Sequence, residues 1–103
     1  MLLVLTTFAE AAQAREIAGR LLDERLAACV TLLAPGESHY VWDGRRQAAT
    51  EVPVLIKTTA EIYPRLEARL RELHPYEVPE IIAVPVVRGL EAYLEWVAGR
   101  CSG

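Results

Sequence analysis

Apolar residues follow two rhythms along this chain, short continuous runs and stripes that return every three or four residues. Residues 2–7, Leu-Leu-Val-Leu-Thr-Thr, form the first run, the pattern of a strand buried on both faces. Over residues 8–24 the spacing becomes helical, with Ala11, Ala14, Ile17, Ala18, Leu21 and Leu22 on one stripe, Glu10 in the first turn and Thr7 as candidate cap. A second strand covers residues 27–33. Pro35-Gly36 interrupts it, and Ser38-His39-Tyr40-Val41-Trp42 resumes an extended pattern. Asp43-Gly44 then predicts a tight hairpin, because both central residues of such a turn need positive φ. The return strand runs to Thr58. Its first half, residues 45–50, is polar or small and residues 52–56 are apolar, so the hairpin tip should project beyond the packed sheet.

A second helix is expected over residues 61–73, with Ile62, Leu66, Leu70 and Leu73 inward and Arg65, Glu67, Arg69, Arg71 and Glu72 outward. Residues 81–87 read as a strand whose Pro85 cannot donate to a ladder, which puts it at a sheet edge. Gly89 breaks the run. Leu90, Tyr93, Leu94 and Val97 complete a short helix, and residues 99–103 read as a frayed tail. The order predicts an α+β fold, a ferredoxin-like βαββαβ sandwich with a long hairpin between its second and third strands and a C-terminal helix. Right-handed crossovers place the first and third strands in the middle and the last at an edge. Pro53, inside the third strand, calls for a bulge there.

A length of 103 residues gives one domain, residues 1–103, and an apolar fraction of 52% makes it compact. A formal charge of -3 with scattered Lys and Arg argues against a nucleic-acid partner. The apolar N-terminus has no basic flank and is too short for a membrane span, so the expectation is a soluble cytoplasmic protein without a membrane partner. Cys29 and Cys101 show no paired spacing and read as reduced thiols. Three of the strands are apolar on both faces, yet the two main helices can cover only one. The other face needs further copies of the chain, aided by Tyr40, Trp42 and Trp96, and an obligate homo-oligomer follows. Trp42 and Trp96 otherwise offer stacking platforms.

The densest chemistry lies in His74-Pro75-Tyr76-Glu77-Val78-Pro79-Glu80. Its prolines fix φ and push His74 and Val78 toward extended geometry, so an imidazole, a phenol and carboxylates are presented on a rigid backbone. His74 is a candidate ligand for Cu(II) or Zn(II), with the Glu77 or Glu80 carboxylate close in sequence. The bland reading makes it a helix-terminal histidine stabilised by the dipole. Cys29 would suit copper as a thiolate, or serve as a small buried hydrophobe. His39 reads as exposed without a special role, and Cys101 as an adventitious ligand in the tail.

Ala28-Cys29-Val30, Tyr40-Val41-Trp42-Asp43-Gly44, Glu51 leading to Lys57-Thr58, and the proline-bounded heptapeptide together resemble the CutA divalent-cation-tolerance family, essentially end to end. Thr31 departs from the family pattern, which usually has Asn there. The resemblance implies a homotrimer similar to PII-type signalling proteins, cytoplasmic and linked to tolerance of copper and other divalent ions. On its PII-like side it implies an inter-subunit cleft in which Lys57, Tyr76, Glu51 and Glu80 hold a small anion or metabolite. Against that stand plain surface roles, with Lys57 a strand-end charge and Glu51 paired to Arg45 or Arg46. No phosphate loop, HExxH or nucleophile elbow marks an enzyme. Two functions remain in view: a trimer binding copper or another divalent metal through His74, Cys29 and Glu80, and a PII-like sensor of a small metabolite.

Overall fold

The computed structural model describes residues 1–101. Eight elements follow in order: β1 (Leu2–Phe8), α1 (Ala11–Asp23), β2 (Cys29–Leu32), β3 (Gly36–Trp42), β4 (Arg45–Thr58), α2 (Tyr63–Leu73), β5 (Ile82–Pro85) and α3 (Glu91–Arg100). The sheet runs β2-β4-β1-β5, with β3 paired to β4. This is the ferredoxin-like order, with β1 and β4 central and Pro85 closing the edge strand β5 as its pattern required.

β4 serves two structures in succession. Its second half pairs with β1 from Phe8↔Val52 to Leu2↔Thr58 and with β2 from Leu32↔Val54 to Cys29↔Lys57. Its first half pairs only with β3, from Gly36↔Glu51 to Trp42↔Arg45. That arm gives the protein its long dimension of 45 Å against 26 and 23 Å. The turn at its tip has Asp43 at φ 54 and Gly44 at φ 75, the two left-handed residues the sequence demanded.

The expected bulge at Pro53 is not there, since the register with β1 is continuous through Thr7↔Pro53. The reason lies at the junction of β2 and β3. The Pro53 carbonyl accepts from the Leu33 N–H (2.9 Å), and a strand residue's N–H points the same way as its carbonyl. The missing donor therefore faces the point where β2 has already ended, and one bond is forgone instead of the ladder being distorted.

The core lies between the sheet and α1 and α2. Val4, Phe8, Val54, Ile56, Leu66, Leu70 and Val97 are each at most 2% exposed. α1 starts later than its periodicity suggested, because Phe8 belongs to β1 and Glu10 is the N-cap residue without a side-chain bond. Thr7 is thus no cap; it sits in β1. α1 ends in a left-handed turn at Arg25 (φ 59), with bonds from Arg25 N to Leu22 O and from Leu26 N to Leu21 O. α2 ends at His74, whose extended ψ of 133 is what a following proline imposes. The frayed tail is overturned as far as residue 101. α3 runs to Arg100, and Cys101 is buried against the Thr58 hydroxyl at 3.8 Å rather than free to bind metal. Residues 102 and 103 of that expected tail lie outside the described residues.

Candidate functional site

Strand alternation places Thr7 and Glu51 on the sheet face that the helices leave open, at the end where the β3–β4 arm begins. The loop after α2 returns to the same corner. Its first residue, His74, is 7% exposed and stacks on Phe8, ring centroids 4.4 Å apart and planes 13° apart. His74 Nε2 lies 2.8 Å from the Thr7 carbonyl, and Nδ1 accepts the Tyr76 backbone N–H at 3.2 Å. A carbonyl only accepts and a backbone N–H only donates, so the ring is the neutral Nε2–H tautomer. Burial pushes the imidazole below its ordinary value, and the Thr7 carbonyl and Glu51 only partly counter it.

Tyr76 then reaches Glu51. Its hydroxyl donates to Oε2 at 3.0 Å, and the Thr7 hydroxyl donates to the same oxygen at 3.0 Å. The bonds close a ring: Thr7, His74, Tyr76, Glu51 and back to Thr7. Burial tends to raise the Glu51 carboxyl, but the hydroxyls of Ser38, Tyr76 and Thr7 outweigh it and hold the group below the usual carboxylate value. The Tyr76 phenol is pushed up to about 12 by burial and by its bond to Glu51. Glu51 is therefore not the partner of Arg45 or Arg46, which lie out along the arm opposite Trp42 and Val41.

Beside this ring opens a cleft of about 790 Å³, lined among others by Ser38, His39, Trp42, Glu51, Tyr76, Glu77 and Glu80. Three carboxylates line it and no Lys or Arg does. His39 is exposed, as expected, and is bound to Glu37 at 2.9 Å.

The other nominated residues are elsewhere. Cys29 faces Lys57 across β2 and β4, six positions from Glu51, or roughly 20 Å along the strand. Lys57 Nζ stands 5.5 Å over the Tyr93 ring, and its contact with Tyr93 holds the ammonium above its ordinary value. Within one chain, then, His74, Cys29 and Glu80 do not converge, nor does Lys57 join Tyr76 and Glu51. Among the described residues no three His, Cys, Asp or Glu side chains are grouped closely enough to enclose a metal. The soft donor set does not fit copper within one subunit. The oxygen donors at the cleft are of the class that suits harder divalent cations, with water or a neighbouring subunit completing the shell.

Thr7 and Ser38 were missed as members of this corner. The signal that finds Thr7 is strand parity, since odd positions of β1 and β4 share a face. It becomes usable only once the register is known.

Residues 2–100 match the family model described as CutA1 divalent ion tolerance protein. A divalent-cation tolerance protein CutA from Thermus thermophilus is 44% identical over 94 residues, 91% of each chain. The solved structure of the Thermus protein superposes with a TM-score of 0.95 at 41% identity, covering 99% of this chain and 100% of that one. A structure described as the periplasmic divalent cation tolerance protein CutA from Archaeoglobus fulgidus gives 0.94 at 34% identity, covering 99% and 100%. The PII-like protein CutA from Nostoc gives 0.91 at 34% identity, covering 99% and 98%. Among the described residues no helix is long and apolar enough to cross a membrane. With the fold, the hairpin and the proline-bounded corner all matched from end to end, the chain belongs to the CutA1 divalent ion tolerance family.

Proposed function

We propose that this chain is a homotrimeric divalent-cation tolerance protein that binds its ion without catalysing a reaction, and that the cleft beside Glu51 is where the ion is taken. The observation that carries this reading is the lining, with carboxylates of Glu51, Glu77 and Glu80 and no Lys or Arg. Such a lining attracts cations and repels anions. The names of the Thermus and Archaeoglobus relatives support the same class of ligand. Assembly is supported by the uncovered sheet face, where Ile82 is 52% and Val84 45% exposed beside the half-buried Leu3, Leu5 and Leu55. Cys29 and Cys101 are free thiols, which suits a reducing cytoplasm.

Calorimetric titration of the metal-free protein with Cu(II), with Zn(II) and with the harder ion Mn(II), repeated on Glu51→Gln and Cys29→Ser, tests the reading. Saturable uptake at a fixed ratio per subunit, weakened in Glu51→Gln and kept in Cys29→Ser, is the expected result. Uptake lost in Cys29→Ser instead moves the site to the Lys57 end of the sheet. Unsaturable uptake in all three proteins sinks the cation reading. It would turn attention to a small anion at Lys57, the PII-like alternative favoured by the Nostoc neighbour's description.

A further inference from the structure

We infer that His74 is a positioning residue and not a ligand: its imidazole fixes Tyr76, and through Tyr76 it fixes the Glu51 carboxylate at the wall of the cleft. The inference rests on the proposed cation reading for its functional meaning and on the hydrogen-bond ring for its substance.

The ring leaves His74 no free donor atom for a metal. Nε2–H is given to the Thr7 carbonyl at 2.8 Å, and the Nδ1 lone pair is taken by the Tyr76 N–H at 3.2 Å. A metal at either nitrogen would have to displace a backbone group and pull the ring from its stack on Phe8. The same bonds set the direction of Tyr76. With its N–H anchored on His74, its ring 4.8 Å from the imidazole and its hydroxyl on Glu51 Oε2, three contacts at different points hold one residue. Thr7 contributes twice, through its carbonyl to His74 and through its hydroxyl to Glu51. His74 thus touches both residues that orient Glu51 without being bonded to it. This is how a group beside a binding site preorganises a ligand oxygen.

Two measurements on the assembled protein decide it. In the first, imidazole ¹⁵N spectra are recorded before and during Zn(II) addition. His74 should show the neutral Nε2–H pattern and keep it at saturation; metal-bound ¹⁵N shifts at His74 would overturn the inference. In the second, the Glu51 side-chain carboxyl ¹³C shift is read at one neutral pH in Tyr76→Phe, His74→Leu and His74→Asn. His74→Asn keeps a short side-chain acceptor for the Tyr76 N–H, so it should resemble the parent, while the other two should move Glu51 alike. An unmoved Glu51 in His74→Leu would overturn positioning, whether or not any metal binds. If Zn(II) binds, Tyr76→Phe and His74→Leu should each weaken it about tenfold, the size of one hydrogen bond to a charged group. Their double variant should be no worse than either alone. If neither Zn(II) nor Mn(II) binds, the cation reading falls, and the carboxyl shifts still judge the role of His74.

Discussion

The two faces of the sheet are built from nearly equal hydrophobic material and end in different states. On one face Val4, Thr6, Phe8, Val52, Val54, Ile56 and Thr58 are each at most 4% exposed, because α1 and α2 lie over them. On the other, Leu3, Leu5, Pro53 and Leu55 remain half-exposed, and Ile82 and Val84 more so. Adjacent residues of one strand thus differ in burial far more than in polarity. An apolar residue on the first face is a matter of folding; on the second it stays open within the single chain, for the proposed assembly to cover. The polar residues follow the same division. Thr58 on the closed face gives its hydroxyl to the Leu26 carbonyl at 2.8 Å, whereas Thr7 and Glu51 on the open face build the wall of a cleft.

The contrast can be broken hardest on the closed face. Leu66→Ala, at a site with no exposure, should cost about 2–5 kcal/mol in urea unfolding, the transfer and cavity cost of a large-to-small core change. An equal-sized change on the open face should act on assembly instead. Leu55→Glu should keep the far-ultraviolet circular dichroism while sedimentation shifts from the proposed trimer toward monomer.

Acidity sharpens the comparison at the corner where the faces meet. His74 and Glu51 both have folded values below their ordinary 6.5 and 4.5. The unfolded chain therefore takes up protons first, and the stability these groups confer is full above those values and lost as pH falls. The urea midpoint should begin to drop below about pH 6.5 through His74, with Glu51 adding to the loss in the carboxylate range. His74→Asn should flatten the upper part of that decline.

The smallest effect is expected at Thr6. Its hydroxyl is buried on the closed face with no partner among the described residues. Thr6→Val, close in shape, should raise stability by about 1 kcal/mol by removing a polar group that is desolvated without a bond. Thr58→Val, on the same face, should lower it, because that hydroxyl is used.

Much of the scaffold was legible before any coordinates. Asp43-Gly44 announced its turn, because few residues other than Asn, Asp and Gly accept positive φ there. Pro85 announced an edge, and the stripe of Ile62, Leu66 and Leu70 announced the inward face of α2. The errors came where a residue's role depended on something distant in sequence. Pro53 looked like a defect until the register showed the ladder with β1 running straight past it, with one bond forgone at the end of β2. Cys101 looked mobile until Thr58 and the core received it. Thr7 looked like a helix cap because Phe8 fits either pattern, and the extra strand position is won by packing and not by propensity.

What the sequence by itself determined is the set of elements, their order, the rigid backbone of the heptapeptide and the presence of two apolar sheet faces. These follow from local sterics and from the spacing of side chains along one strand or helix, which the chain carries in its own order. Only the tertiary structure decided which polar groups meet. Of the expected ligand set His74, Cys29 and Glu80, Cys29 lies at the far end of the sheet within one chain, whereas Thr7, Glu51, His74 and Tyr76 form a closed ring. The physical reason is register. Hydrogen bonds and metal coordination act over about 2–3 Å, while one strand position moves a side chain by about 3.3 Å and to the opposite face.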